Sequence, residues 1–184
     1  MTRILICDDE GIVRQSLQFM IEKAFGGECE LEAARNGRTA IELAESFHPD
    51  IILMDIQMPG INGIEAMQEI RKEDKHVVFI VLTAYDKFEY TQKSIDVGVL
   101  SYLTKPVNRD TLTDTIRKAM KQVRERREKA RNDLRVKEKL EAVVALLREH
   151  NAKARIITTP WDEISGETIL AAMQDDHDLA ADML

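Results

Sequence analysis

Three short stretches of this chain are apolar at consecutive positions and a fourth is mostly so, and each stops at a polar residue. Ile4-Leu5-Ile6-Cys7 gives way to Asp8-Asp9-Glu10, and Ile51-Ile52-Leu53-Met54 to Asp55. Val77 through Leu82 ends at Thr83, and Leu100–Leu103 runs out near Lys105-Pro106. A strand with one wet face alternates; a strand apolar throughout is covered on both faces, as in a parallel sheet sandwiched between helices. A weaker strand, Cys29 to Ala33, fits between the first two. The intervening pieces have helical spacing. Val13, Leu17, Met20, Ile21 and Ala24 share a face, as do Ala40, Leu43, Ala44 and Phe47; Ile64, Met67 and Ile70 follow with Ala66, and later Tyr90, Ile95 and Val97. Gly37, Gly63 and Gly98 fall where reversals or helix ends are needed. Five β/α repeats in about 106 residues predict an α/β fold, an open doubly wound sheet.

In such a sheet functional groups collect where strands end at their carboxyl edge. Asp8, Asp9, Asp55, Thr83 and Lys105 would therefore enter one crevice. Carboxylates that close repel by about 4 kcal/mol per pair at ~4 Å and an effective dielectric near ~20. A shifted pKa or a bound cation relieves this. With only oxygen donors in register the cation would be hard, Mg²⁺ or Mn²⁺. A carboxylate beside it can attack phosphorus, with the Lys105 ammonium and Thr83 hydroxyl meeting the phosphoryl oxygens.

Other readings fit less of the pattern. Asp8 and Asp9 could merely cap a helix, which leaves Asp55 and Lys105 unexplained. A flavin or dinucleotide site needs a glycine-rich turn after the first strand, where this chain has acids. A phosphatase of the haloacid-dehalogenase type needs a second Asp two residues after the nucleophile, and that position is Gln57. Phosphoryl loss by this chain should therefore be slow and confined to its own phosphate, the behaviour of a switch rather than a turnover enzyme. Tyr102, taken by itself, reads as half-buried packing.

Asp8-Asp9, Asp55 with Met58-Pro59-Gly60, Thr83-Ala84 and Lys105-Pro106 together resemble the receiver domain of two-component response regulators, as in chemotaxis regulators, over residues 2–122. The segment Tyr85–Pro106 is most similar to regulators ending in an AraC-type DNA-binding domain. The resemblance implies a flavodoxin-like five-stranded sheet of order 2-1-3-4-5 and a cis Lys105-Pro106 bond. It implies Asp55 as phosphoacceptor for a sensor histidine kinase. Asp9 would bind Mg²⁺ directly and Asp8 largely through water, with Asp55 and the Gln57 main-chain carbonyl completing the protein ligands. Lys105 would pair with the acceptor, and Thr83 would move toward the phosphoryl group and let Tyr102 turn inward.

Charge divides the chain. Residues 1–106 carry net −7, residues 107–155 net +7, and residues 156–184 no Lys or Arg and seven acids. We expect a receiver over 1–122, a basic helix over 108–151 continuing from its last helix, and an acidic tail over 152–184 with short helices. Asn108 is a candidate N-cap, and no Pro or Gly interrupts the chain from there to Asn151. Ile116, Met120, Val123, Ala130 and Leu134 form a stripe that changes phase and resumes at Val136, Leu140, Val143 and Leu147. That suggests a parallel coiled coil with a displaced seam. Arg and Lys alternate with Glu at 124–129, as on a solvated helix flank rather than a DNA-binding surface. In the tail, Ser165 could cap a helix through Gln174. The resemblance points to a transcription regulator that dimerises through its fourth helix, fifth strand and fifth helix, or through the extended helix, and touches DNA only through an output domain not recognisable here. The alternative is a receiver-only module signalling by protein contact.

No apolar run is long enough to span a membrane and the amino terminus carries no signal-peptide pattern, so a cytoplasmic protein is expected. Cys7 and Cys29 have no CxxC partner and read as buried reduced thiols.

Overall fold

The computed structural model describes residues 1–84, 98–150, 156 and 165–167. Five parallel strands, β1 (Thr2–Cys7), β2 (Cys29–Ala34), β3 (Ile51–Asp55), β4 (Val78–Thr83) and β5 (Val99–Thr104), lie in the order β2-β1-β3-β4-β5. Helices α1 (Gly11–Phe25), α2 (Gly37–Phe47) and α3 (Gly63–Glu73) alternate with the first four strands, and a long helix, α4 (Arg109–His150), follows the fifth. The expected helical face at Tyr90, Ile95 and Val97 lies outside the described residues, as does the tail helix beyond Glu167.

The continuously apolar strands are buried as their pattern demands. Every residue of β3 and β4 is buried. Residues pointing to one face of the sheet, among them Leu5, Ile52, Met54, Phe79 and Val81, pack with Met67 and Ile70 of α3. Those pointing to the other, among them Ile4, Ile6, Leu53 and Ile80, pack with Leu17 and Ile21 of α1 and Ile116 and Met120 of α4. Period-two alternation thus divides each strand between two cores. Two expectations need correction. Leu100 on β5 is exposed, because β5 is an edge strand and, among the described residues, is only partly covered. Cys29 opens the opposite edge strand and is half-buried, while Cys7 is fully buried and its thiol is pushed far up by that burial and by Asp8.

Local chemistry sets the ends of the helices. Asn36 caps α2 by accepting from the Thr39 amide, and Asn62 with Glu65 forms a reciprocal capping box on α3. Asn108 accepts from the Asp110 and Thr111 amides, as expected of a cap for α4. Gly63 is required for a different reason: a β-carbon there would overlap the Asp55 carbonyl, so only glycine lets α3 start against the end of β3. Gly98 has φ of 72°, the left-handed conformation glycine adopts without strain, just before β5.

The chain forms two units, Met1–Arg127 and Glu128–Leu184. The first reaches past residue 122 because α4 is tied down near the amino end of the sheet. Arg127 Nη2 lies 2.6 Å from Asp50 Oδ1, and Arg126 donates to the His76 carbonyl. Asp50 also accepts the Arg3 amide at 2.9 Å, joining β1, β3 and α4 at one carboxylate. From Glu128 on, the helix has no buried residue among those described, and Leu134, Val136, Leu140, Val143, Leu146 and Leu147 are all exposed.

Candidate functional site

The strand exits converge as the apolar runs imply. Asp8 follows β1, Asp55 ends β3, Thr83 ends β4, and Lys105 follows β5. The register pairs Cys7 with Met54, Asp55 with Leu82, and Thr83 with Thr104. The Lys105 amide donates to the Thr83 carbonyl at 2.8 Å, fixing the lysine beside the β4 exit. The Lys105-Pro106 peptide bond is cis, as the resemblance implied.

Carboxylate oxygens of Asp8, Asp9 and Asp55 all lie within 4.8 Å of one another. Asp8 is fully buried, Asp55 is 4% exposed, and Asp9 faces solvent. Lys105 Nζ bridges the two buried acids, 2.7 Å from Asp55 Oδ2 and 2.7 Å from Asp8 Oδ2. The first contact is a directed hydrogen bond. The second is an ion pair only, leaving Asp8 Oδ2 a buried oxygen without a hydrogen-bond partner among the described residues. Asp8 Oδ1 accepts the Glu10 amide, and Asp55 Oδ1 accepts the Gln57 amide at 3.3 Å.

Burial pushes the Asp55 carboxyl above its ordinary value, and Asp8 adds to the rise; the Lys105 hydrogen bond and charge and the Gln57 amide offset only part of it. Burial alone would lower Lys105, but its hydrogen bond to Asp55 and its close contact with the Asp8 and Asp55 charges outweigh burial and raise it. Lys105 is thus held as a cation between two acids, one of which resists ionising. Helix α1 begins at Gly11 and its N-cap residue, Glu10, makes no side-chain cap bond; Asp8 accepts only the amide that precedes the helix, so capping alone does not account for the acids.

Tyr102 on β5 is half-buried against the core that contains Phe79 and Val81, close to the β4 exit. Two residues were not singled out from sequence. Glu10 Oε1 lies 3.8 Å from Lys105 Nζ at the rim, and Arg14 Nη1 donates to the Asp8 carbonyl at 2.7 Å. Their placement at the start of α1, directly after the two acids, was the available signal.

The doubly wound sheet thus gathers three acids and a lysine bridging two of them at its carboxyl edge. The family model described as the response regulator receiver domain matches residues 4–117, and the chain belongs to that family. It is 39% identical over 119 residues to the regulatory protein AtoC of Escherichia coli K12, a match covering 64% of this chain and 25% of that protein. Among solved structures it resembles the chemotaxis protein CheY4 of Vibrio cholerae (30% identity, TM-score 0.60, 65% of this chain and 98% of that one). It also resembles a two component transcriptional regulator AraC from Clostridium phytofermentans ISDg (28% identity, TM-score 0.61, 70% and 99%). The matched part spans a quarter to somewhat over half the length of the curated relatives. Receivers are generally phosphorylation-dependent switches that partner with sensor histidine kinases and normally bind Mg²⁺ at an acidic pocket, and several relatives are named as transcriptional regulators. No described helix is long and apolar enough to cross a membrane.

Proposed function

We propose that this chain is a cytoplasmic response regulator of a two-component system, phosphorylated on Asp55 by a partner histidine kinase. The observation that carries the reading is the Lys105 bridge between two buried acids, with a third carboxylate within 4.8 Å. A carboxylate oxygen of Asp55 attacks the phosphorus of a phosphohistidine. The new O–P bond forms as the N–P bond breaks, and the electron pair returns to the imidazole. Lys105 exchanges its contact with Asp55 for one with the incoming phosphoryl oxygens, and the Thr83 hydroxyl donates to another.

The donor set suits Mg²⁺: oxygen ligands only, and a buried Asp8 oxygen that lacks a hydrogen bond. Asp9, Asp8, Asp55 and the Gln57 carbonyl would hold the ion, which when bound offsets the negative charge gathered at the acceptor. The kinase has an adjacent place to dock, since α1 starts at the pocket and exposes Ile12 (75%) and Phe19 (65%). With Gln57 two residues after the acceptor, loss of phosphate is slow.

Phosphorylation biases two receiver conformations through Thr83 and Tyr102, and the signal passes to a dimer formed by the receiver's β5 side, by the long helix, or by both. Transcription is controlled through an output domain that contacts DNA. The domain limits are 1–122 for the receiver, 108–151 for the relay helix and 152–184 for the tail. Incubation with acetyl phosphate and Mg²⁺ followed by intact-mass measurement tests the core of this reading. One added phosphoryl group is expected, and Asp55→Asn should abolish it; retained labelling in that variant would move the acceptor elsewhere.

A further inference from the structure

At the end of the sheet away from the acidic pocket, residues of α2 and α3 and of the segments that follow them line a cleft of about 360 Å³. Its floor is apolar, made by Ile41, Ala44, Ile70 and Val77, and its rim is acidic, made by Glu45, Glu69, Glu73 and Asp74. No Lys or Arg lines it. Glu69 is met by Lys72 at 2.6 Å, and Asp74 accepts the His76 amide, whereas Glu45 and Glu73 are exposed with no cationic partner among the described residues. The volume lies in the range of pockets that hold a few side chains or a small ligand. A floor and rim of this kind fit a segment presenting apolar side chains flanked by cations.

The second unit displays such a segment. Val136, Leu140 and Val143 form an exposed stripe on the long helix, and Lys129 and Lys139 lie on the same side one turn or two away. Over 129–139 five basic residues face two acids. Pairing of this stripe with itself is limited: one heptad before Val136 and Leu140 the seam positions are Lys129 and Asp133, so apolar positions persist for only about two heptads, against three to four in a sustained coiled coil. The apolar stripe and its basic flank are complementary to the cleft in both respects.

We propose that the α2–α3 cleft receives segment 129–143 of the long helix of a second copy. This deepens the dimer component of the proposed function and is independent of its phosphoryl chemistry. The test is sedimentation equilibrium of the full chain in four forms: wild type, Glu45→Lys/Glu73→Lys, Lys129→Glu/Lys139→Glu, and the chain carrying all four changes. All four positions are exposed, and circular dichroism would verify the fold. Each pairwise reversal should weaken dimerisation by about tenfold or more, and the fourfold variant should return to within about threefold of wild type. A cleft reversal that leaves the dimer constant unchanged overturns the docking while the dimer stands. So does failure of the fourfold chain to recover. A wild type that stays monomeric at millimolar concentration overturns both the docking and the dimer.

Discussion

Strand β3 and the stripe on the distal half of the long helix are both built from large aliphatic side chains, and they end in opposite circumstances. Ile51 through Met54 are wholly removed from water, whereas Leu134, Val136, Leu140 and Val143 are 43–65% exposed. The stripe side chains are aliphatic like those of β3; the neighbours differ. A strand in the middle of a sheet is covered by layers built from the same chain, while a lone helix can bury its stripe only against something else. The first region therefore stores the stability and anchors the acid pocket. The second leaves its apolar stripe exposed among the described residues.

The contrast can be broken by experiment. The largest effect belongs to the pocket: Asp55→Asn should abolish phosphoryl uptake from acetyl phosphate, while deleting the apolar side chains at Leu140 and Val143 should leave it within about twofold. Uptake lost in the helix variant would mean that the regions are not separable. Next, Leu53→Ala should cost about 3–4 kcal/mol of unfolding free energy, against at most ~0.5 kcal/mol for Leu140→Ala measured under monomeric conditions. Comparable losses would show that the helix stripe is buried after all.

Removing the bridging cation with Lys105→Met leaves Asp8 and Asp55 as uncompensated neighbours, and chemical denaturation should show a loss of about 2–3 kcal/mol at pH 7. Raised folded-state affinity of Lys105 for its proton means that its share of stability is intact below its ordinary value of 10.5 and is lost as pH rises through the higher folded value. The Lys105→Met penalty should accordingly shrink in strongly alkaline buffer. The smallest effect comes from Asp55 itself. Its carboxyl is raised by burial, so its ionised form costs stability, and the cost vanishes as pH falls below the unfolded value. Asp55→Asn should thus be slightly more stable than wild type near neutrality, and the gain should fade toward acid pH in thermal melts without Mg²⁺. An equal gain at every pH would deny that the charge is responsible.

Much of the pocket was legible because the fold turns position into function. Any polar residue that ends a fully apolar parallel strand must leave at the carboxyl edge, so Asp55 and Thr83 could be placed from β3 and β4 alone. Edge strands were less readable: β5 mixes Ser101 and Tyr102 with Leu100 and Leu103, and only neighbouring elements determine which of these are covered. Glu10 and Arg14 were missed since a helix start allows many directions for long side chains, and their contacts arise from where α1 meets β1.

The order of apolar and polar residues by itself determined the layered sheet, the acids and lysine at its rim, and the capped helix from Asn108, since these depend on local periodicity and on the end at which a parallel strand exits. Only the tertiary structure decided that Lys105 bridges Asp8 and Asp55 at equal distance, that Gly63 must lack a β-carbon, and that Asp50 ties β1 and β3 to Arg127. The Lys105 and Asp50 contacts join residues about fifty or more positions apart, and the Gly63 approach depends on how α3 meets the end of β3; packing sets both, not any pattern along the chain.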